Sequence, residues 1–147
     1  MKIAVGSDHA GVQLKDHLVA RLRGQGHEVA DLGTQGTASV DYPDFAAQVA
    51  RAVAGGSAER GVLVCGTGQG MAMAANRVSG VRAAVVSDTF SARATRGHND
   101  ANVLCLGQRV VGYGVAEEIV DVFLATPFEG GRHAGRVAKV NALDRAE

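Results

Sequence analysis

Short apolar runs alternate with longer stretches of helical period along this chain. Residues 2–6, 28–32, 61–65, 81–86 and 102–106 read as strands, and four of the five are nearly continuous in apolar residues, as strands covered on both faces should be. Between them Leu14, Leu18 and Leu22 recur at i, i+4 and i+8, and Phe45, Val49 and Val53 repeat that spacing. Val115, Ile119, Val122 and Phe123 form a third stripe, and each set predicts an amphipathic helix. Asp41 before Tyr42 and Pro43 starts the second helix, with an acidic cap and proline in the first turn. Gly24 and Gly26 close the first helix, Gly55 and Gly56 the second. After Pro127 the spacing of Val137, Val140 and Leu143 predicts a last ordered helix. This β-α alternation requires right-handed crossovers and puts the chain in the α/β class. The expected architecture is one three-layer α/β/α, Rossmann-like domain over residues 1–147, with a five-stranded parallel sheet and a C-terminal helical tail. Ligands of such sheets bind beyond the carboxyl ends of the strands, so chemistry is expected in the residues that follow each strand.

Composition narrows the function classes. At 147 residues the chain fills one ordinary domain, with no room for a separate substrate domain. Fifteen basic and fifteen acidic residues cancel, which leaves no global field to hold nucleic acid or an acidic membrane. Four Phe, two Tyr and no Trp offer little surface for stacking bases. The apolar runs fall well short of the ~18 residues that cross a bilayer, and the opening MKIAVGSDHAG is too short and polar for a signal segment, so a cytoplasmic location is expected. Cys65 and Cys105 have no CxxC spacing, so neither a disulfide framework nor a zinc site is expected. The twenty glycines gather at strand ends and turns, where loops approach something closely.

The strand ends collect polar groups: Ser7, Asp8 and His9 after the first, Cys65-Gly66-Thr67-Gly68-Gln69-Gly70 after the third, Ser87 and Asp88 after the fourth. In the third loop a glycine turn enters a helix over residues 71–76, aiming backbone amides and a helix N-terminus at one place, an arrangement that stabilises an anion or a developing oxyanion. The same positive end would favour a thiolate on Cys65, although the residues alone leave open a buried structural cysteine. Cys105, inside Val103-Leu104-Cys105-Leu106, reads as core. Asp8 and His9 read either as a turn pair capping the first helix or as functional groups, and Thr89 and Ser91 as caps. Arg93, Arg96, His98, Asn99 and Asp100 read by themselves as a solvated helix end. Arg132 and Arg136, at i and i+4, suit bidentate phosphate binding or surface charge equally. A dinucleotide fingerprint is only partial, with Met71 where the third glycine belongs; Met71 also stands where a cysteine phosphatase needs Arg, and no Lys-Ser or Lys-Thr pair completes a Walker loop.

Taken together, GSDHAG at 6–11, DYP at 41–43, CGTGQGMAMAANR at 65–77, RGHNDANVLCLGQR at 96–109 and EGGRHAGRV at 129–137 closely resemble the type B ribose-5-phosphate isomerases, a family that includes galactose-6-phosphate isomerase subunits. The resemblance runs from Met1 to about Leu143. It implies a cofactor-free and metal-free aldose–ketose isomerase that interconverts ribose 5-phosphate and ribulose 5-phosphate through a cis-enediolate. In that reading Cys65 is the proton-shuttling base and the amides of Gly66, Gly68, Gln69 and Gly70 hold the enediolate. His98 opens the ring, with Thr67 and Asp8 nearby on the sugar. His9, Arg109, Arg132 and Arg136 take the phosphate, and Asn99 orients hydroxyls. Members that lack the cysteine use a Glu one residue beyond the glycine loop; Met71 stands there and cannot take a proton. The resemblance also implies a homodimer, or a dimer of dimers, with His98, Asn99 and Arg109 reaching into the neighbour's cleft. Loops around 33–41 and 97–100 are expected to set pocket depth. The rival readings are isomerisation of a tetrose or hexose phosphate, a non-catalytic phosphate- or nucleotide-binding module, and, third, a nicotinamide enzyme.

Overall fold

The computed structural model describes residues 1–145. Among them are five strands, β1 (Lys2–Ser7), β2 (Glu28–Asp31), β3 (Arg60–Cys65), β4 (Ala83–Val85) and β5 (Val103–Gly107), and six helices, α1 (Val12–Gly24), α2 (Tyr42–Ala54), α3 (Gln69–Ala75), α4 (Thr89–Gly97), α5 (Tyr113–Ala125) and α6 (Arg132–Ala142), with a 3-10 turn at Leu143–Arg145. The sheet is parallel in every pairing and ordered β2-β1-β3-β5-β4. This is the α/β architecture expected from the pattern, C-terminal helix included. Residues 146 and 147 of the expected domain lie outside the described residues.

Successive strand residues face opposite layers, which explains the continuous apolar runs. Ile3, Val5, Val62, Val64, Leu104 and Leu106 pack with Leu14, Leu18 and Leu22 of α1 and Ile119 and Phe123 of α5. Ala4, Leu63, Cys65, Val103 and Cys105 pack on the other face with Val49 and Val53 of α2 and Met71 of α3.

Several sequence expectations need correction. The fourth strand shrinks from 81–86 to Ala83–Val85, because side-chain amides replace ladder bonds at its start: Arg82 N–H donates to Asn102 Oδ1 at 2.8 Å and Ala83 N–H to Asn76 Oδ1 at 2.8 Å. The third helix starts at Gln69, before the expected 71, because Gly68 already takes the cap position. Asp8 and His9 do not cap α1; Leu14 N–H instead donates to Gln108 Oε1, 2.9 Å away after β5. Thr89 and Ser91 do not cap α4 either. Asp88 does, accepting Ser91 N–H at 2.7 Å, and that bond holds its carboxyl below the ordinary value. Asp41 holds the expected cap position of α2 without a side-chain bond to the helix, while Pro43 stands in the first turn. Arg96, read as part of a solvated end, is 2% exposed.

Candidate active site

The order β2-β1-β3-β5-β4 places the reversal of strand order between β1 and β3, so the crevice that binds ligands opens at their carboxyl ends. Asp8 and His9 line one side. Asp8 is 7% exposed, and its Oδ1 accepts Ala10 N–H at 3.0 Å in a tight turn. His9 Nδ1 accepts Val40 N–H at 3.1 Å, an arrangement that assigns its other ring nitrogen as donor and ties the 33–41 loop to this edge. Lys15, fully buried, anchors the base of that loop by donating to both oxygens of Asp31 at 3.0 and 2.9 Å.

Cys65 forms the other side. Its Sγ is 3.1 Å from Gly68 N–H, so the nest meets the thiol directly; a thiolate would receive a charge-assisted bond there. Gly68 makes this turn at φ +83, and a β-carbon on it would stand 3.1 Å from the Leu106 backbone, which leaves glycine as the residue that fits. Thr67 Oγ1 accepts Gln69 N–H at 3.3 Å. Two bonds clamp the loop to the end of β5: Gln108 N–H donates to Cys65 O at 2.8 Å and Arg109 N–H to Gly66 O at 3.1 Å. The Arg109 stem therefore lies against Gly66 of its own chain. Tyr42, read from sequence only as the start of α2, lays its ring over Gly70, and a β-carbon there would be 2.7 Å from the ring. Cys105 is inert by contrast, since complete burial, with Cys65 adding to it, pushes its thiol far up.

The remaining candidates lie elsewhere. Helix α4 leaves the carboxyl end of β4 and runs back about 13 Å over its nine residues. It delivers His98 and Asn99 to the amino edge, where Val103 pairs with Gly61 and Ala83. Helix α6 meets them there. His98 and His133 stack with centroids 4.4 Å apart and planes at 11°, and His98 Nε2 is 3.1 Å from Glu129 Oε2. Burial holds His133 below its ordinary value, helped by His98, Arg132 and Arg136 against Glu129. A cavity of about 620 Å³ opens here, lined by Arg82, His98, Asn99, His133, Arg136 and Asn141 among others. Arg132 is exposed at the start of α6.

The predicted set thus divides. Asp8, His9, Cys65, Gly66, Thr67, Gly68, Gln69, Gly70 and Arg109 gather at the carboxyl edge. His98, Asn99, Arg132 and Arg136 gather at the amino edge, a strand length of roughly 17 Å away. Within one chain Thr67 and Asp8 are not near His98, and Arg109 does not share a phosphate site with Arg132 and Arg136. It sides with Cys65 rather than with His98 and Asn99. Helix direction is the reason: a crossover helix returns its own C-terminus to the edge opposite the strand end it came from.

One group could be considered for a metal. Among the described residues the ligand atoms of His98, Glu129 and His133 lie within 4.8 Å of one another. The two imidazole planes are nearly parallel, so their in-plane lone pairs do not converge on one ion at ~2.0 Å, and one ring would have to turn to chelate.

Against this geometry stand the relatives. A family model described as Ribose/Galactose Isomerase matches residues 3–140. The chain belongs to the ribose/galactose isomerase family. It is 50% identical over 144 residues to ribose-5-phosphate isomerase B of Escherichia coli, covering 98% of this chain and 97% of that one. The structure of ribose-5-phosphate isomerase B from Clostridium thermocellum superposes with a TM-score of 0.98 at 51% identity and 99% coverage of both chains. The enzyme from Mycoplasma genitalium, solved with bound ribulose 5-phosphate, gives a TM-score of 0.95 at 43% identity, covering 99% of this chain and 97% of that one. As a member of this family the chain is an enzyme of the sugar-phosphate isomerase class, and the fold expected from its β-α pattern is the family's fold. Among the described residues no helix is long and apolar enough to cross a membrane.

Proposed function

We propose that this chain interconverts D-ribose 5-phosphate and D-ribulose 5-phosphate in the cytoplasm, without metal or cofactor, at a site completed by a second copy. The observation that carries the chemistry is the bond from Gly68 N–H to Cys65 Sγ inside a glycine nest at the β1/β3 crevice. The family's ribose isomerases support the substrate. The division of the candidate residues between two edges supports the dimer: a two-fold axis that brings one copy's amino edge to the other's carboxyl edge makes two identical complete sites. Each chain then works as one domain in a pair.

In that composite site the Arg132 and Arg136 guanidiniums of one copy, with Arg109 and His9 of the other, hold the phosphate. His98, oriented by Glu129, exchanges the proton that opens the furanose ring. Asp8, Thr67 and Asn99 hold the open-chain hydroxyls. The Cys65 thiolate removes the C2 proton, leaving an enediolate whose negative oxygen rests on the amides of Gly66 to Gly70. The hydroxyl proton passes from O2 to O1 and the resulting thiol returns the carbon proton to C1. The amides act on charge that exists only along the path, which is where stabilisation raises turnover. Nucleic acid and membrane have no part in it.

Comparing kcat/KM for erythrose 4-phosphate, ribose 5-phosphate, allose 6-phosphate and galactose 6-phosphate, in chelator, tests the reading. The pentose is expected to lead. A tetrose or hexose preference would keep the mechanism and overturn the substrate, and absence of turnover on all four would return the chain to a binding module. Arg136→Ala should raise KM by about tenfold, the effect of one lost charge-assisted contact, with kcat less affected. An unchanged KM would place Arg136 outside the site.

A further inference from the structure

We propose that Asp100 is a positioning residue for the substrate site: held between Arg82 and Arg96, its carboxylate fixes the turn that presents His98 and Asn99 and joins that turn to α6. The inference rests on the reading of His98 as the ring-opening group.

The backbone is the first observation. Asp100 has φ +50, and among the described residues no other non-glycine residue has a positive φ. An L side chain is disfavoured there, Asp and Asn less than most, and the surroundings hold Asp100 in this conformation. They do so from both sides. Arg96 Nη1 donates to Asp100 Oδ1 at 2.9 Å and Arg82 Nη2 lies 3.3 Å from Oδ2, while Arg82 Nε donates to the Asp100 carbonyl at 2.9 Å and Asp100 N–H to the Arg96 carbonyl at 3.2 Å. Arg96 and Asp100 are i and i+4, and the residues they bracket include His98 and Asn99.

Neither arginine is free to move. Arg96 is buried over the Phe123 ring and also donates to the carbonyls of Ala101 at 2.7 Å and Thr126 at 3.2 Å. Arg82 donates through Nη1 to Asn141 Oδ1 at 3.1 Å, reaching the helix that carries Arg132, His133 and Arg136. One carboxylate therefore ties the His98 turn to the core on one side and to the phosphate-binding helix on the other. Charge points the same way. Arg60, Arg82 and Arg96 cluster here, and burial together with the two other guanidiniums pushes Arg60 down, with Asp100 and Glu59 as the offsetting carboxylates. A turn that merely ended a helix would be served by glycine at this φ with no ionic clamp.

The test compares Asp100→Asn, which keeps size and tolerance of positive φ but loses the charge, with His98→Asn and the double variant. Asp100→Gly, which relieves φ and also loses the clamp, is the second probe should the asparagine variant fold poorly. kcat and KM are measured for isomerisation of ribose 5-phosphate, which must be ring-opened, and beside them the rate at which the C1 hydrogen of ribulose 5-phosphate, whose C5 oxygen is esterified and which stays open-chain, exchanges with solvent deuterium. Asp100→Asn or Asp100→Gly is expected to lose about tenfold or more in kcat/KM for isomerisation, equally in both directions because the equilibrium constant is fixed, as misplacement of a reacting group by a fraction of an ångström does, and distinctly less in the exchange, which never forms the ring. The double variant should fall no further than His98→Asn, because both act through one group. A merely structural role would lower isomerisation and exchange alike and add to the His98 loss. Wild-type kinetics in both Asp100 variants, or additive losses, overturn this inference while an impaired His98→Asn leaves the ring-opening reading standing. A His98→Asn enzyme that turns over ribose 5-phosphate normally overturns that reading and this inference with it.

Discussion

Cys65→Ala is expected to lose about 10³-fold or more in turnover, near the upper range for removal of a general base, while sugar-phosphate affinity and folding remain close to wild type. Affinity survives because the anchors are the guanidiniums and His9, none of which touches the sulfur. Folding survives because the change removes one small atom from a site that is 6% exposed, with a cost of about 1 kcal/mol. The backbone that shapes the loop is held by Gln108 and Arg109 amides rather than by the thiol, so the nest stays in place. Exchange of the C2 hydrogen with solvent deuterium, followed by NMR, reads the proton step directly. Normal exchange in Cys65→Ala would remove this base, and Met71, which follows the glycine loop, offers no substitute.

Mixing two inactive variants should restore activity. Cys65→Ala retains His98 and His98→Asn retains Cys65, and these groups lie a strand length apart in one chain, roughly 17 Å. If each site draws Cys65 from one copy and His98 from the other, a mixed dimer has one site with both groups intact and one with neither. Random pairing of equal amounts makes half the dimers mixed, so about a quarter of wild-type turnover of ribose 5-phosphate should return after the copies exchange. The controls are each variant alone and a mixture in which exchange is blocked by cross-linking beforehand. No gain on mixing would show that the two edges do not serve a common site, and the division into Cys65 and His98 halves would lose its meaning.

The sequence carried far because local chemistry and global fold agree over most of the chain. Alternation of apolar runs with helical stripes was enough for the parallel sheet, since strands buried on both faces leave no other pattern. The glycine loop at 65–70 was legible for a similar reason: a turn that must approach the β5 backbone admits few residues. Readings failed where partners came from far along the chain. Gln108 caps α1 from 94 residues away, Arg96 is buried by Thr126 and Phe123, and Tyr42 covers Gly70, none of which a local pattern contains. Arg96 shows the cause most plainly, because an arginine beside charged neighbours looks solvated until Phe123 and the distant Thr126 carbonyl are brought over it.

What the sequence determined by itself is the class of fold and the order of its elements, and it named the residues of the candidate site, all from properties of short windows or of motifs read in order. Which residues share an edge was decided only by the tertiary structure. A strand carries Cys65 outward to the carboxyl edge while a returning helix carries His98 to the amino edge, and that opposition depends on chain direction in three dimensions. The strained turn at Asp100 belongs to the same category: its φ is set by two arginines that the folding of β4 and α4 brings to it.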